Sequence, residues 1–146
     1  GYACVNFGSP VSMREYCASR GVDFRRLSGE ERRRATAELG RELMAAVGRV
    51  VPVVPVALIA SVFTLHPQRA LSQLELKAEV QALLARLEAA GAHVYVPRSD
   101  LDYALGVGLR MLTLRRLVEE KEGLYSASPG EQPLLAYYAN SIAHLV

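Results

Sequence analysis

Ser72-Gln73-Leu74-Glu75-Leu76-Lys77-Ala78-Glu79-Val80-Gln81-Ala82-Leu83-Leu84-Ala85-Arg86-Leu87-Glu88-Ala89-Ala90-Gly91 reads as one amphipathic helix. It opens with a capping box: the Ser72 hydroxyl accepts from the amide three residues on, and the Glu75 carboxylate reaches back. Leu76, Val80, Leu83, Leu84 and Leu87 recur at helical spacing and make a single apolar stripe. Gly91 is the natural stop. The spacing predicts a helix from about Gln73 to Ala90. A one-sided stripe must be buried against other elements, so the flanking segments are read as its packing partners.

Downstream, His93-Val94-Tyr95-Val96 is β-prone and closed by Pro97. Ser99 and Asp102 are the expected caps of a next helix, with Leu101, Leu105, Leu109 and Leu112 on one side. Leu117-Val118-Glu119 and Leu124-Tyr125-Ser126 flank Glu120-Lys121-Glu122-Gly123, which predicts a hairpin with glycine in the turn. Pro133 suits the first turn of a final helix, whose expected buried face is Leu134, Tyr138, Ile142 and Leu145. Upstream, Val50 to Leu65 carries no charge. It is shorter than the roughly 20 residues a membrane-spanning helix needs, and Pro52 and Pro55 interrupt it. Val50 to Pro55 is read as an extended connection and Val56 to Leu65 as a short buried helix, with an interfacial membrane contact as the less favoured alternative.

Nearer the start, Ser28 and Glu31 form a second capping box, so a helix is expected from about Glu30 to Val47 with Leu39, Leu43, Ala46 and Val47 on its apolar side. Arg32, Arg33, Arg34 and Arg41 alternate with Glu30, Glu31, Glu38 and Glu42, which reads as a self-paired, solvated face. Tyr2-Ala3-Cys4-Val5-Asn6-Phe7 is β-prone and ends in Gly8-Ser9-Pro10. Val11 to Tyr16 follows as a short helix or turn. A domain rarely starts in mid-strand, so the chain is expected to be a piece of something longer. The fold class expected is mainly α with short β elements (α+β): a helical bundle in a winged-helix-like order with one hairpin, after a leading strand. The best boundary lies in Arg20 to Gly29, giving 1–20 as one part and 21–146 as a helical domain.

The chain has 146 residues, 51% of them hydrophobic and 22% charged. That is one domain's worth of sequence with enough apolar side chains for a core, which excludes a disordered chain. A formal charge of +2 does not by itself call for nucleic acid or an anionic membrane. Fifteen of the seventeen basic residues are arginine, which we read as compositional bias before phosphate recognition. Cys4 and Cys17 read as two reduced thiols.

No self-contained catalytic set emerges. His66, His93 and His144 have no second His or Cys at ligand spacing, so neither a metal nor a cofactor is expected. There is no nucleophile elbow and no phosphate loop. Arg14 and Arg20 flank Cys17, but the sequence offers no base for it. Gly106 and Gly108 are read as allowing close helix packing, and Asp100 and Asp102 as carboxylates suited to a helix start. Two patterns suggest binding. The order of elements between Val56 and Ser126 resembles a winged helix-turn-helix, with Arg110, Arg115 and Arg116 as phosphate candidates. Glu119, Glu120 and Glu122 would make its wing acidic, so a helical packing module is preferred and no nucleic acid is expected. The second pattern is Tyr137, Asn140, Ser141 and His144 at the end of the chain. Asn140 and His144 are four apart; a structural hydrogen-bond network is the default reading and the edge of a substrate site the sharper one.

The stretches Leu112-Thr113-Leu114-Arg115-Arg116-Leu117-Val118 and Pro133 to His144, with the hairpin ending in Leu124-Tyr125, resemble the C-terminal region of glycerol-3-phosphate acyltransferases of the large bacterial membrane-associated type. Tyr2 to Ser12 is similar to the strand and turn that closes the family's catalytic domain, and Val53 to Ala60 to the apolar segment after it. The resemblance implies a parent enzyme that moves a fatty acyl group from acyl carrier protein or coenzyme A onto the sn-1 hydroxyl of glycerol 3-phosphate. It also implies phospholipid synthesis at the cytoplasmic face of the bacterial inner membrane. Partners implied are the rest of the acyltransferase chain, the membrane surface and those substrates. The family's His-x4-Asp motif is absent: five residues after His66 is Leu71, after His93 is Arg98, and His144 is too near the end. No catalytic residue is carried over, and the segment alone is expected to be inactive.

Overall fold

The computed structural model describes residues 3–145. They form two compact units, residues 6–50 and residues 51–145, the second joined by residues 3–5.

The Asn6–Val50 unit holds α1 (Met13–Arg20) and α2 (Gly29–Arg49). Ser12 caps α1, and Gly21, at φ 63°, ends it in the left-handed conformation that costs glycine little. The Ser28–Glu31 capping box forms in both directions and opens α2. Arg20 pairs with Glu42 and joins the two helices. Arg34 pairs with Glu30 one turn away, in keeping with a self-paired face. Of the apolar side expected on α2, Leu43 and Val47 are exposed, as is the neighbouring Met44, while Leu39 and Ala46 are half-buried. The leading strand does not form over residues 3–7, where Phe7 is 92% exposed. A strand exists only when its backbone finds a ladder partner, and none pairs here among the described residues. Tyr2 lies outside them.

The second unit is built on α3 (Pro55–Leu65), β1 (Leu71–Ser72), α4 (Gln73–Ala89), α5 (Leu101–Leu114), β2 (Val118–Lys121), β3 (Leu124–Ala127) and α6 (Gln132–Asn140). Helix–strand–helix–helix–hairpin is the winged-helix order, and the antiparallel sheet has the order β1-β3-β2. Register pairs Leu71 with Tyr125 and Glu120 with Tyr125 across the two ladders. The hairpin turns at Glu122 and Gly123, both at positive φ, which matches the right-handed twist of the strands. The extended connection expected from Val50 to Pro55 is shorter: Val50 ends α2 at φ −103°, ψ 3°, Pro55 already opens α3, and between them Val53 makes a parallel bridge to Val94. Helix α3 lies at the centre: Ala57, Leu58, Ile59, Ala60, Val62 and Phe63 are buried, and α4, α5 and α6 pack around it. All five stripe residues of α4 are buried in the same core.

Two sequence expectations shift. Asp100, not Ser99 or Asp102, caps α5: its Oδ1 accepts the Tyr103 amide at 3.0 Å. Arg98 and Ser99 sit at positive φ in a 3-10 turn, so the chain first reaches the extended geometry of a cap at Asp100. On α6 the buried line is Leu135, Ala139 and Ile142, while Leu134 is 52% exposed and Tyr138 and Leu145 are half-buried. That line has the same helical spacing rotated by one residue, and the small Ala139 is what lets α6 lie close on α3.

Candidate functional site

Two concave regions among the described residues of the second unit bear on function. The larger is a groove of about 360 Å³ between α5 and the hairpin. Gly106, Arg110, Thr113 and Leu114 line it from α5, Gln73 from the start of α4, and Glu120 and Tyr125 from the strands. Tyr125 stands opposite Glu120 in the ladder; burial first, then the Glu120 charge, raises its phenol above the ordinary value.

The three arginines singled out on α5 do not converge. Arg110 lines the groove. Arg115 donates to the Tyr138 hydroxyl and stacks 5.6 Å from that ring's centre, which ties α5 to α6. Arg116 sits at φ 58° in the turn before β2. In the wing, Lys121 pairs with Glu119 at 2.6 Å, leaving Glu120 and Glu122 beside it. A phosphate backbone approaching α5 therefore meets net negative charge at the wing.

The second region is a cavity of about 270 Å³ between α3, α4 and α6. Ser61, Thr64 and Leu65 come from α3, Leu83 and Arg86 from α4, and Ala139, Asn140 and Ala143 from α6 and the turn after it. Of the C-terminal pair, Asn140 lines this cavity and His144 does not. Helix α6 ends at Asn140, and His144 belongs to a separate 3-10 turn, so the two do not share a helical face. Sequence reasoning passed over Arg86, Ser61 and Thr64. The available signal was that Ser61 and Thr64 are the only polar residues of Val56 to Leu65 and lie three apart, on one side of the helix.

The remaining candidates have structural partners. A Cβ on Gly108 would lie 2.5 Å from Ile59 Cδ1 and 3.1 Å from the Pro55 carbonyl oxygen, so this glycine does permit close helix packing. Gly106 has open space at its Cβ position. Asp102 pairs with Lys77 at 2.6 Å. His66 faces Glu79 at 3.6 Å, and Arg69 bridges Glu75 and Glu79. Cys4 and Cys17 are free thiols. Among the described residues no three His, Cys, Asp or Glu side chains gather as a metal site, and no helix is long and apolar enough to cross a membrane.

No curated protein and no solved structure matches the chain. A family model does, described as the glycerol-3-phosphate acyltransferase C-terminal region, and it spans residues 1–146. By that match over its whole length, the chain belongs to the glycerol-3-phosphate acyltransferase C-terminal region family.

Proposed function

We propose that this chain is the supporting C-terminal region of an enzyme that transfers a fatty acyl group from acyl carrier protein or coenzyme A to the sn-1 hydroxyl of glycerol 3-phosphate. The product would enter phospholipid synthesis at the cytoplasmic face of the bacterial inner membrane. Carrying this reading is the family match over the whole sequence. Two further observations support it. The sequence lacks a His-x4-Asp pair that could act as base and orienter on the hydroxyl. The apolar face of α2, with Leu43, Met44 and Val47 exposed, is available for packing against the rest of the enzyme. In this reading 1–20 closes the catalytic domain, 21–146 is the helical region, and the acyl and glycerol phosphate groups are held by the catalytic domain.

The test is thiol release from a long-chain acyl thioester with glycerol 3-phosphate as acceptor. Residues 1–146 alone should release none, and the acyltransferase carrying them should form lysophosphatidate. Turnover by the 146-residue chain alone would overturn the supporting role. The winged-helix order favours a second reading, a nucleic-acid binder. It predicts binding that weakens steeply with salt and is lost when Arg110 and Arg116 are changed. The acidic wing and the Arg115–Tyr138 tie argue against it.

A further inference from the structure

The lining of the cavity between α3, α4 and α6 carries a single charged side chain. Arg86 is the one ionisable side chain in its lining, and it has no carboxylate partner among the described residues. Ser61 and Thr64 donate their hydroxyl protons to the Ala57 and Ala60 carbonyls at 2.8 Å each. Toward the cavity they therefore offer lone pairs, which do not attract an anion. Donors for a negative group come from the Arg86 guanidinium and the Asn140 amide. The remaining wall is aliphatic, with Leu83 and Ala139 buried behind it and Leu65 exposed at its edge. At about 270 Å³ the space falls just below the roughly 300–1,000 Å³ of pockets that enclose a drug-sized molecule.

From this we infer a binding site for a small anion on a short aliphatic body, its headgroup held by Arg86 and Asn140 and its methylenes against Leu65, Leu83 and Ala139. A guanidinium fork matches both a carboxylate and a phosphate monoester, so either headgroup satisfies the same chemistry. The inference does not depend on the enzymatic reading above.

Hexanoate, hexyl phosphate and hexanol, titrated separately into the 15N-labelled chain, test it. At least one of the anions should shift the amides of residues 61, 64, 86 and 140 saturably, and hexanol should bind at least tenfold more weakly. A hexanoate preference assigns a carboxylate ligand, and a hexyl phosphate preference assigns a phosphate monoester. Arg86→Gln lies on an exposed helix position and should fold normally; it should weaken anion binding at least tenfold and leave hexanol unchanged. Ser61→Ala should keep the anion affinity within about twofold. Equal binding of hexanol and the anions, no effect of Arg86→Gln, or no saturable shift with either anion would overturn the proposal.

Discussion

Gly108→Ala puts a methyl group where α3 and α5 touch. The new Cβ would lie 2.5 Å from Ile59 Cδ1 and 3.1–3.2 Å from the Pro55 carbonyl. Carbon atoms settle at about 3.5–4.0 Å, so the Ile59 methyl must retreat by about 1 Å. Ile59 is 1% exposed, so its methyl can move only by disturbing the packed core around it. The Pro55 contact is backbone, so α3 itself must also give way. Overpacking of this kind costs about 1–3 kcal/mol, against a helix-propensity gain of about 1 kcal/mol for replacing glycine. A net loss of up to about 2 kcal/mol is expected. Gly106→Ala on the same helix meets no atom within 4 Å and should keep the propensity gain, a stabilisation of about 1 kcal/mol. Urea unfolding followed by far-ultraviolet circular dichroism measures both, provided the slopes match. Ile59→Val removes the clashing methyl, and in that background the Gly108→Ala loss should shrink by at least about 0.5 kcal/mol. The reasoning is refuted if the two alanine variants are equally stable, or if Ile59→Val leaves the Gly108→Ala loss unchanged.

Three further outcomes are expected. Asp100→Ala removes the cap that accepts the Tyr103 amide and should cost about 1 kcal/mol in the same assay, with Asp100→Asn close to the parent. Glu75 titrates below the usual carboxylate range because the Ser72 amide and hydroxyl, and then Arg69, hydrogen-bond its charged form. Its folded-state value is depressed, so its contribution to stability is complete above the unfolded value and is lost as pH falls through the folded one. Glu75→Gln should therefore flatten the acid limb of a stability–pH profile and leave its slope above pH 6 unchanged. The Ser128 hydroxyl is buried without a hydrogen-bond partner among the described residues. Ser128→Ala relieves that and should raise the unfolding midpoint, by as much as about 1–3 kcal/mol on a full desolvation penalty; a lowered midpoint would contradict it.

Local chemistry accounts for what could be read without coordinates. Ser28 with Glu31 and Ser72 with Glu75 announce helix starts because the partner groups are three residues apart. Gly123 announces its turn because positive φ suits glycine. The α4 stripe is buried as its spacing requires, since a 3.6-residue period puts those five side chains on one face wherever the helix packs. Each of these depends on neighbours in the chain, so each was legible in the string of residues.

Long-range packing settled the rest. Whether Leu134 or Leu135 turns inward depends on how α6 lies against α3, because both belong to acceptable helical stripes. Asp100 became the cap because the turn before it holds Arg98 and Ser99 at positive φ, a conformation with no signature in their side chains. The β-prone residues 3–7 stay unpaired because a strand needs a second strand, which propensity cannot supply. Arg86, Ser61 and Asn140 are dozens of residues apart and meet only where three helices cross. Amino-acid order by itself determined the helices, the hairpin and their succession, because capping and periodicity act within a few residues. Which faces turned inward and which polar groups came to share a cavity was decided by the tertiary fold, because those contacts arise only when distant segments compete for the same buried volume.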